Sequence, residues 1–496
     1  MGLRDHRLRD LQELRSFSLS NADFIMQTNF LNTDTICAIA TPHGMGAIAV
    51  VRVSGPEAIS IVCQLFTQNG KLFDMEKMVS HKAYYGHIVD HGELIDEVLV
   101  TFFRAPHSFT GEDSAEISVH GSVFVQQKLL QVLIARGCRM AEAGEFTRRA
   151  FVNRKFDLAQ AEAIADLIGS ESEAAHRVAI NQLKGGFSKE LQVMRSKLLE
   201  MTSLMELELD FSEEDVEFAD RSQLKALLEE TLAHVNKLKD SFRLGNAIKN
   251  GIPVAIVGQT NTGKSTLLNA LLGEDRAIVS DIAGTTRDTI EETLNINGIL
   301  YRFIDTAGLR NTDETIEKIG IERSYKKISE ANIVIGMLDA TTHYDSMISS
   351  ANEIVSRVDL RQQQLILCIN KVDTLPDQGE ALLRKLRLDL DNDDIMVICL
   401  SAKHGFGIND LYNTLKLCQP LASPDATLVT NVRHYEALLH ASESLKSVQQ
   451  GLEMNIPTDL VSQDLREALY HLGSITGEIT TDEVLGSIFS RFCVGK

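Results

Sequence analysis

The stretch Gly258-Gln-Thr-Asn-Thr-Gly263-Lys264-Ser265 decides the fold. It has the form G-x-x-x-x-G-K-S, the phosphate-binding P-loop. The apolar run Pro253-Val-Ala-Ile-Val257 before it reads as a buried strand, and Thr266-Leu-Leu-Asn-Ala-Leu-Leu272 after it as a helix. Strand, glycine loop and helix in that order are the context the motif requires. Gly258 and Gly263 let the backbone curl so that its N–H groups face phosphates. Lys264 brings a cation to the β- and γ-phosphates, and Ser265 offers a hydroxyl to Mg²⁺. Thr262 and Thr266 complete the candidate phosphate contacts. A plain glycine turn before a helix would need neither the lysine nor the serine.

Working outward, four further sets fall where a guanine-nucleotide site needs them. Gly284-Thr285-Thr286-Arg-Asp288 lies between the first helix and a hairpin. Thr286 there is the candidate second Mg²⁺ ligand and sensor of the γ-phosphate. The hairpin runs over 293–304, with Asn297-Gly298 as a strong two-residue turn. Asp305-Thr306-Ala307-Gly308 follows it. Asp305 would hold a Mg²⁺-bound water, and the Gly308 N–H would meet the γ-phosphate. Asn370-Lys371-Val-Asp373 ends a strand beginning near Leu365. The Asp373 carboxylate suits the two N–H donors of guanine, a pair that adenine lacks. Ser401-Ala402-Lys403 ends the next strand, where a backbone N–H can meet the guanine carbonyl. The nucleotide expected is therefore GTP. Leu309 occupies the place where many GTPases carry a water-orienting Gln, and no arginine finger in cis is evident. Something else must orient the water and stabilise the developing charge.

The bulk numbers bound the rest. A length of 496 residues suggests two to four domains. A hydrophobic fraction of 44% and a charged fraction of 24% are ordinary for a globular chain. The net charge of −20 excludes an overall positive field that would draw nucleic acid or an anionic membrane. An RNA partner must be met by a local patch or by another subunit. The seven cysteines form no C-x-x-C pair, which points to a reducing compartment rather than to disulfides or zinc. No run of 18 apolar residues is present, so no membrane span is expected. In residues 1–33, Arg4, Arg7, Arg9 and Arg15 suggest a mitochondrial transit peptide, but Asp5, Asp10, Glu13 and Asp23 offset them. A flexible extension is the simpler expectation.

The pattern predicts an α+β domain over 34–153. It has strands at 35–40, 48–53, 98–103 and 117–119, and helices at 56–66 and 122–136. Residues 136–155 carry Arg136, Arg139, Arg148, Arg149, Arg154 and Lys155 against Glu142 and Glu145. A solvated helix face explains that stretch as well as a binding face does. Helical spacing follows over 154–250, broken at Gly185-Gly186; the second long helix, roughly 188–209, ends in acids from Glu206 to Glu217, which read as a solvated helix end and loop. A nucleotide domain at 251–419 is then followed by helices over 420–496. The expected architecture is multidomain α/β: a Ras-like P-loop domain inserted into a helical domain built from two chain segments, behind the N-terminal α+β domain.

Seven stretches carry a resemblance. They are Arg52-Val-Ser-Gly55, Ser108-Phe-Thr-Gly-Glu-Asp113, Gly144-Glu-Phe-Thr147, Asp157-Leu-Ala-Gln-Ala-Glu-Ala163, Asp281-Ile-Ala-Gly-Thr-Thr-Arg-Asp288, Ile319-Gly-Ile-Glu-Arg323 and Phe492-Cys-Val-Gly-Lys496. Together they resemble the MnmE/TrmE family of tRNA-modifying GTPases, over nearly all of the chain from residue 34. Departures are Gln259-Thr260 for a usual Arg-Pro, Val494 for a usual Ile, and Met45 for a usual basic residue.

The resemblance implies a folate-binding, dimerising N-terminal domain. Arg52, Glu116, Lys155 and Lys496 match positions that contact a 5-formyl- or 5,10-methylene-tetrahydrofolate. Cations suit the glutamate tail and a carboxylate suits the pterin donors. It implies that Ser280, Asp281, Ile282, Ala283, Gly284, Thr285 and Thr286 line the nucleotide. Asn261, with Ser280, Ile282 and Thr285, would hold K⁺, which does part of an arginine finger's work. Glu317 matches a water-orienting glutamate, so Glu317 and Lys264 are candidate catalytic residues. Cys493 gains a functional reading that its position alone would not give. The implied partners are a second copy of the chain, tRNA, and a MnmG/GidA-family flavoprotein, which carries the FAD and completes a heterotetramer. The implied activity is K⁺-dependent GTP hydrolysis coupled to adding an aminomethyl or carboxymethylaminomethyl group at C5 of the wobble uridine. The expected location is the bacterial cytoplasm, with the mitochondrial matrix as alternative. The alternative function is an RNA-binding switch of the Era/Der type in ribosome assembly. Such factors usually add a basic RNA-binding domain, which this acidic chain does not show.

Overall fold

The computed structural model describes residues 34–210, 221–273, 292–304, 328–418, 427–454, 456–490, 492 and 494–495. Compactness divides the chain into two units, 1–165 with 476–496, and 166–475.

In the first unit the strands are β1 Ile36–Ile39, β2 Ile48–Ser54, β3 Phe66–Gln68, β4 Lys71–Leu72, β5 Ala83–Asp90, β6 Glu93–Phe103, β7 Ser114–His120 and β8 Arg139–Met140. They form one sheet in the order β4-β3-β5-β6-β7-β2-β1-β8. Only the β1–β8 pair is parallel. Alternation does the sorting. Val51 and Val53 of β2 point into the core with Val98, Val100, Phe102 and Ile117, while Arg52 between them faces the other way. Helices α1 Ala58–Leu65 and α2 Val123–Ala135 close that core with Ile59, Val62, Leu129 and Leu133. On the opposite face Ile36 and Ala38 meet Ala141 and Phe146, the latter on helix α3 Glu145–Val152. Helix α4 is Leu158–Ile168. The last helix of the chain, Asp482–Phe489, packs Leu485, Ile488 and Phe489 against Phe151 and Leu158. The β5–β6 hairpin is longer than the sequence suggests, because Glu93, Asp96, Glu97 and His87 on it are polar.

In the second unit Ser172 caps helix α5 Glu173–Leu183 by accepting from Ala175 N at 3.1 Å. Gly185 then takes a positive φ and Gly186 opens α6 Gly186–Asp210. Helices α7 Arg221–Asp240 and α8 Phe242–Asn250 lead to the nucleotide domain. Its strands are β9 Ile252–Gly258, β10 Glu292–Ile296, β11 Ile299–Phe303, β12 Ile333–Asp339, β13 Gln364–Asn370 and β14 Ile395–Cys399. The order is β10-β11-β9-β12-β13-β14, parallel except for the β10–β11 hairpin. This is a Ras-like α/β sheet. Helices α9 Lys264–Gly273, α10 Tyr344–Val355, α11 Glu380–Leu390 and α12 Ile408–Leu417 cover both faces over two apolar clusters. The chain then returns as α13 Val432–Glu453, which packs on α7, and α14 Thr458–Thr476.

Candidate functional site

Strands β9, β12, β13 and β14 all run the same way, so their carboxyl ends deliver loops to one edge, where open α/β sheets receive ligands. The loop after β9 turns through Asn261 at φ +59°, a left-handed conformation that Asn tolerates better than most residues. Gly263 follows at φ +95°, and a Cβ there would lie 2.3 Å from Asn370 Nδ2. No side chain fits, so the glycine of the motif is dictated by close approach. The Thr262 hydroxyl donates to Gln259 O at 2.9 Å. The Lys264 ammonium donates to Gly258 O and Gln259 O at 3.0 and 2.8 Å, bracing the loop from inside. Lys264 and Ser265 open α9, whose N-terminal N–H groups favour an anion.

Asn370 joins this loop to the next. Its Nδ2 donates to Thr262 O at 2.7 Å, and its Oδ1 accepts from Ala402 N at 3.0 Å. Asp373 stands two residues beyond Lys371 and accepts from Ser401 Oγ at 2.6 Å. The Ser401 hydrogen bond is the main cause that holds the Asp373 carboxyl below its ordinary range. Ser401 and Ala402 are buried, and Ser401 N donates to Phe406 O at 2.9 Å, which pins the turn. Asn370, Asp373, Ser401 and Ala402 thus come together as the sequence predicts, and the P-loop backbone is tied to them. Lys371 adopts φ +66°, and its ammonium reaches Asp339 Oδ2 at 2.7 Å. Asp339 was not among the expected residues; it is one Asp after an apolar run and carries no motif. Lys403 is exposed. Residues Ser280, Asp281, Ile282, Ala283, Gly284, Thr285, Thr286, Asp305, Thr306, Ala307, Gly308 and Glu317 lie outside the described residues, as do Cys493 and Lys496.

A second polar centre lies on the sheet of the first unit. Arg52 and Glu116 are cross-strand partners on β2 and β7, with Arg52 Nη2 to Glu116 Oε1 at 2.9 Å. The guanidinium sits 4.8 Å from the Phe109 ring centre and 5.6 Å from that of Phe146. Lys155 is exposed and donates to Pro106 O at 2.9 Å. The C-terminal tail comes to the same sheet: Val494 pairs with Ala143, and a Cβ on Gly495 would lie 2.1 Å from Ile39 O. Ile39 neighbours Ala38, the partner of Arg52 across β1 and β2. A carboxylate, a guanidinium and an aromatic ring on a half-buried sheet face suit a flat heteroaromatic ligand with an anionic arm.

Arg136, Arg139, Arg148 and Arg149 resolve into internal pairs. Arg136 meets Asp90, Arg148 meets Glu142, and Arg139 meets both Asp34 and Glu145. Arg149 meets Asp34, Glu112 and Glu145 at 2.7, 3.2 and 2.9 Å. Glu112 also accepts from Ser54 Oγ at 2.8 Å. The stretches 108–113 and 144–147 therefore meet around one buried arginine, and these residues form no free basic patch.

Among the described residues no helix is long and apolar enough to cross a membrane, and no group of His, Cys, Asp and Glu could hold a metal ion by itself. The family model for the MnmE helical domain matches residues 158–493, and that for the GTP-binding protein TrmE N-terminus matches 35–155. The chain is 52% identical over 470 residues to a protein of Bacteroides fragilis named tRNA modification GTPase MnmE, covering 94% of this chain and 100% of that one. Proteins of the same name from Bacteroides thetaiotaomicron and Flavobacterium johnsoniae are 51% and 50% identical, with the same coverage.

Proposed function

The chain belongs to the MnmE family of tRNA modification GTPases, and on that premise we propose that it couples K⁺-dependent GTP hydrolysis to one-carbon chemistry at C5 of the tRNA wobble uridine. GTP hydrolysis in tRNA modification follows from family membership. The folate, the K⁺, the flavoprotein partner of the MnmG/GidA type and the homodimer belong to the proposal. So do the bacterial cytoplasm as location and the segmentation into 34–153, 154–250, 251–419 and 420–496. The observation that supports the reading most is the seating of the Gly495 tail beside the strands that carry Arg52 and Glu116.

The proposed roles combine the described geometry with those the family resemblance implies. Thr262, Gly263 and Lys264 would bind the phosphates, and Ser265 and Thr286 would hold Mg²⁺. Asp373 selects guanine, Asn370 fixes the two loops that frame the base, and Ser401 keeps the Asp373 carboxylate oriented. Asn261, Ser280, Ile282 and Thr285 would hold K⁺, which supplies positive charge near the transferring phosphoryl group. Glu317 orients the attacking water where Leu309 cannot. In the first unit Arg52, Lys155 and Lys496 bind the anionic arm of a tetrahydrofolate, and Glu116 accepts from its pterin N–H groups. That cofactor supplies the one-carbon unit. Cys493 is proposed as a functional residue of the tail.

Calorimetric titration with 5-formyltetrahydrofolate checks the second centre. Wild type should bind, and Arg52→Met with Glu116→Gln should not. Absence of folate binding together with co-sedimentation on a ribosomal subunit would favour an RNA-binding switch instead.

A further inference from the structure

Lys371 occupies a left-handed backbone conformation, φ +66° and ψ +27°. A residue with a Cβ stays there only when its surroundings hold it. The surroundings are specific. Its carbonyl accepts from Thr374 N at 3.2 Å and from Thr374 Oγ1 at 2.8 Å. Its ammonium donates to Asp339 Oδ2 at 2.7 Å. Asp339 pairs with Asn370 in the β12–β13 register, so it stands one position from the lysine on the neighbouring strand. Its other oxygen, Oδ1, accepts from Thr341 N and Thr341 Oγ1 at 2.9 and 2.7 Å. The carboxylate therefore cannot rotate without losing two bonds. Ala340 N donates to Asn370 O at 2.9 Å, which closes the strand end beneath it.

We propose that Asp339 is a positioning residue of the guanine subsite, holding the Lys371 side chain in the one orientation that receives the base. Free in water, a lysine side chain samples many rotamers, and ordering it on binding carries an entropic cost. Anchored by a fixed carboxylate, its stem is ordered before the nucleotide arrives. The inference rests on reading residues 370–373 as the guanine-binding loop. Asp339 is assigned no role except through Lys371.

Dissociation of a fluorescent GDP from the full-length protein is the test. D339N keeps the shape and removes the charge, and should speed dissociation about tenfold, the size expected when a hydrogen bond to a charged group is weakened. K371M, which keeps the stem without the ammonium, should do the same. The double variant should dissociate no more than about twofold faster than K371M alone, since the two act through one contact. Effects that multiply, or a D339N rate equal to wild type, would overturn the proposal. A wild-type rate for K371M would instead remove the reading of the loop on which it rests. Should D339N fail to fold, T341V removes one of the two donors that fix the carboxylate. It should speed dissociation about threefold in the wild-type background and not at all beside K371M; equal speeding in both backgrounds would overturn the proposal.

Discussion

The side-chain amide of Asn370 donates to the carbonyl of Thr262 across 2.7 Å, and so ties the P-loop to the strand that leads into the proposed guanine-binding loop. The other end of the same amide accepts from Ala402 N at 3.0 Å. Both partners are buried, so Asn370→Ala strands a donor and an acceptor at once. Each orphan costs about 1–3 kcal/mol. Thermal unfolding should show the loss in the apo protein, and calorimetry should show GDP affinity at least tenfold weaker. Asn370→Asp should do no better, because a carboxylate cannot donate to Thr262 O.

Asp373→Asn should erode the preference for GTP over ATP by about 10–100-fold, the scale of a charge-assisted pair. An amide cannot accept both guanine donors. The pH dependence has a definite sign. Ser401 first, then neighbouring charges, hold the Asp373 carboxyl below its ordinary range. GDP affinity should therefore stay level from pH 8 to about 5 and fall only below the usual carboxylate range near 4. A competition assay between the nucleotides reads both effects.

Glu145→Gln should destabilise the N-terminal unit by about 1.5–3 kcal/mol, the scale of hydrogen bonds to a charged group, because Arg149 loses one of its three carboxylate partners and keeps Asp34 and Glu112. Burial pushes the Glu145 carboxyl up, but the bonds from Arg139, Glu142 N and Arg149 outweigh it and leave the pKa lowered. At Asp34 the Arg139 hydrogen bond leads, and the pKa is lowered as well. A lowered folded-state pKa adds stability above the unfolded value. That share is present above about pH 4–5 and fades as pH falls toward the folded values. Urea unfolding at pH 7, 5 and 4 should trace the loss for wild type and a flatter dependence for Glu145→Gln.

If the proposed K⁺ site operates, replacing K⁺ by Na⁺ should slow GTP turnover with little change in nucleotide affinity, because the ion would act on charge that develops in the transition state. Glu317→Ala should behave the same way. Steady-state hydrolysis beside nucleotide titration separates the two quantities, and equal loss of both after Glu317→Ala would contradict its role.

The nucleotide site was legible because phosphate and guanine recognition demand fixed residue types at short spacings, as at Gly263, Lys264 and Asp373. The strands feeding those loops, such as Ile333–Asp339, are apolar runs with clear ends. Arg136, Arg139, Arg148 and Arg149 were not legible as internal pairs. Their partners Asp34, Asp90 and Glu112 lie far away in the chain, and charge counting does not see across a sheet. Asp339 was hidden for a similar reason, since only the β12–β13 register brings it to Lys371. The tail's seat beside β1 depends on one glycine, Gly495, approaching Ile39 O more closely than any side chain would allow.

Everything proposed for this chain converges on the wobble uridine of tRNA. Nucleoside mass spectrometry of tRNA from a strain lacking the gene, with and without the wild-type gene restored, tests it most directly. The C5-aminomethyl or carboxymethylaminomethyl uridines should be lost in the deletion and return on restoration, but not with Asp373→Asn or Arg52→Met. Wobble uridines that are unchanged in the deletion strain would contradict it.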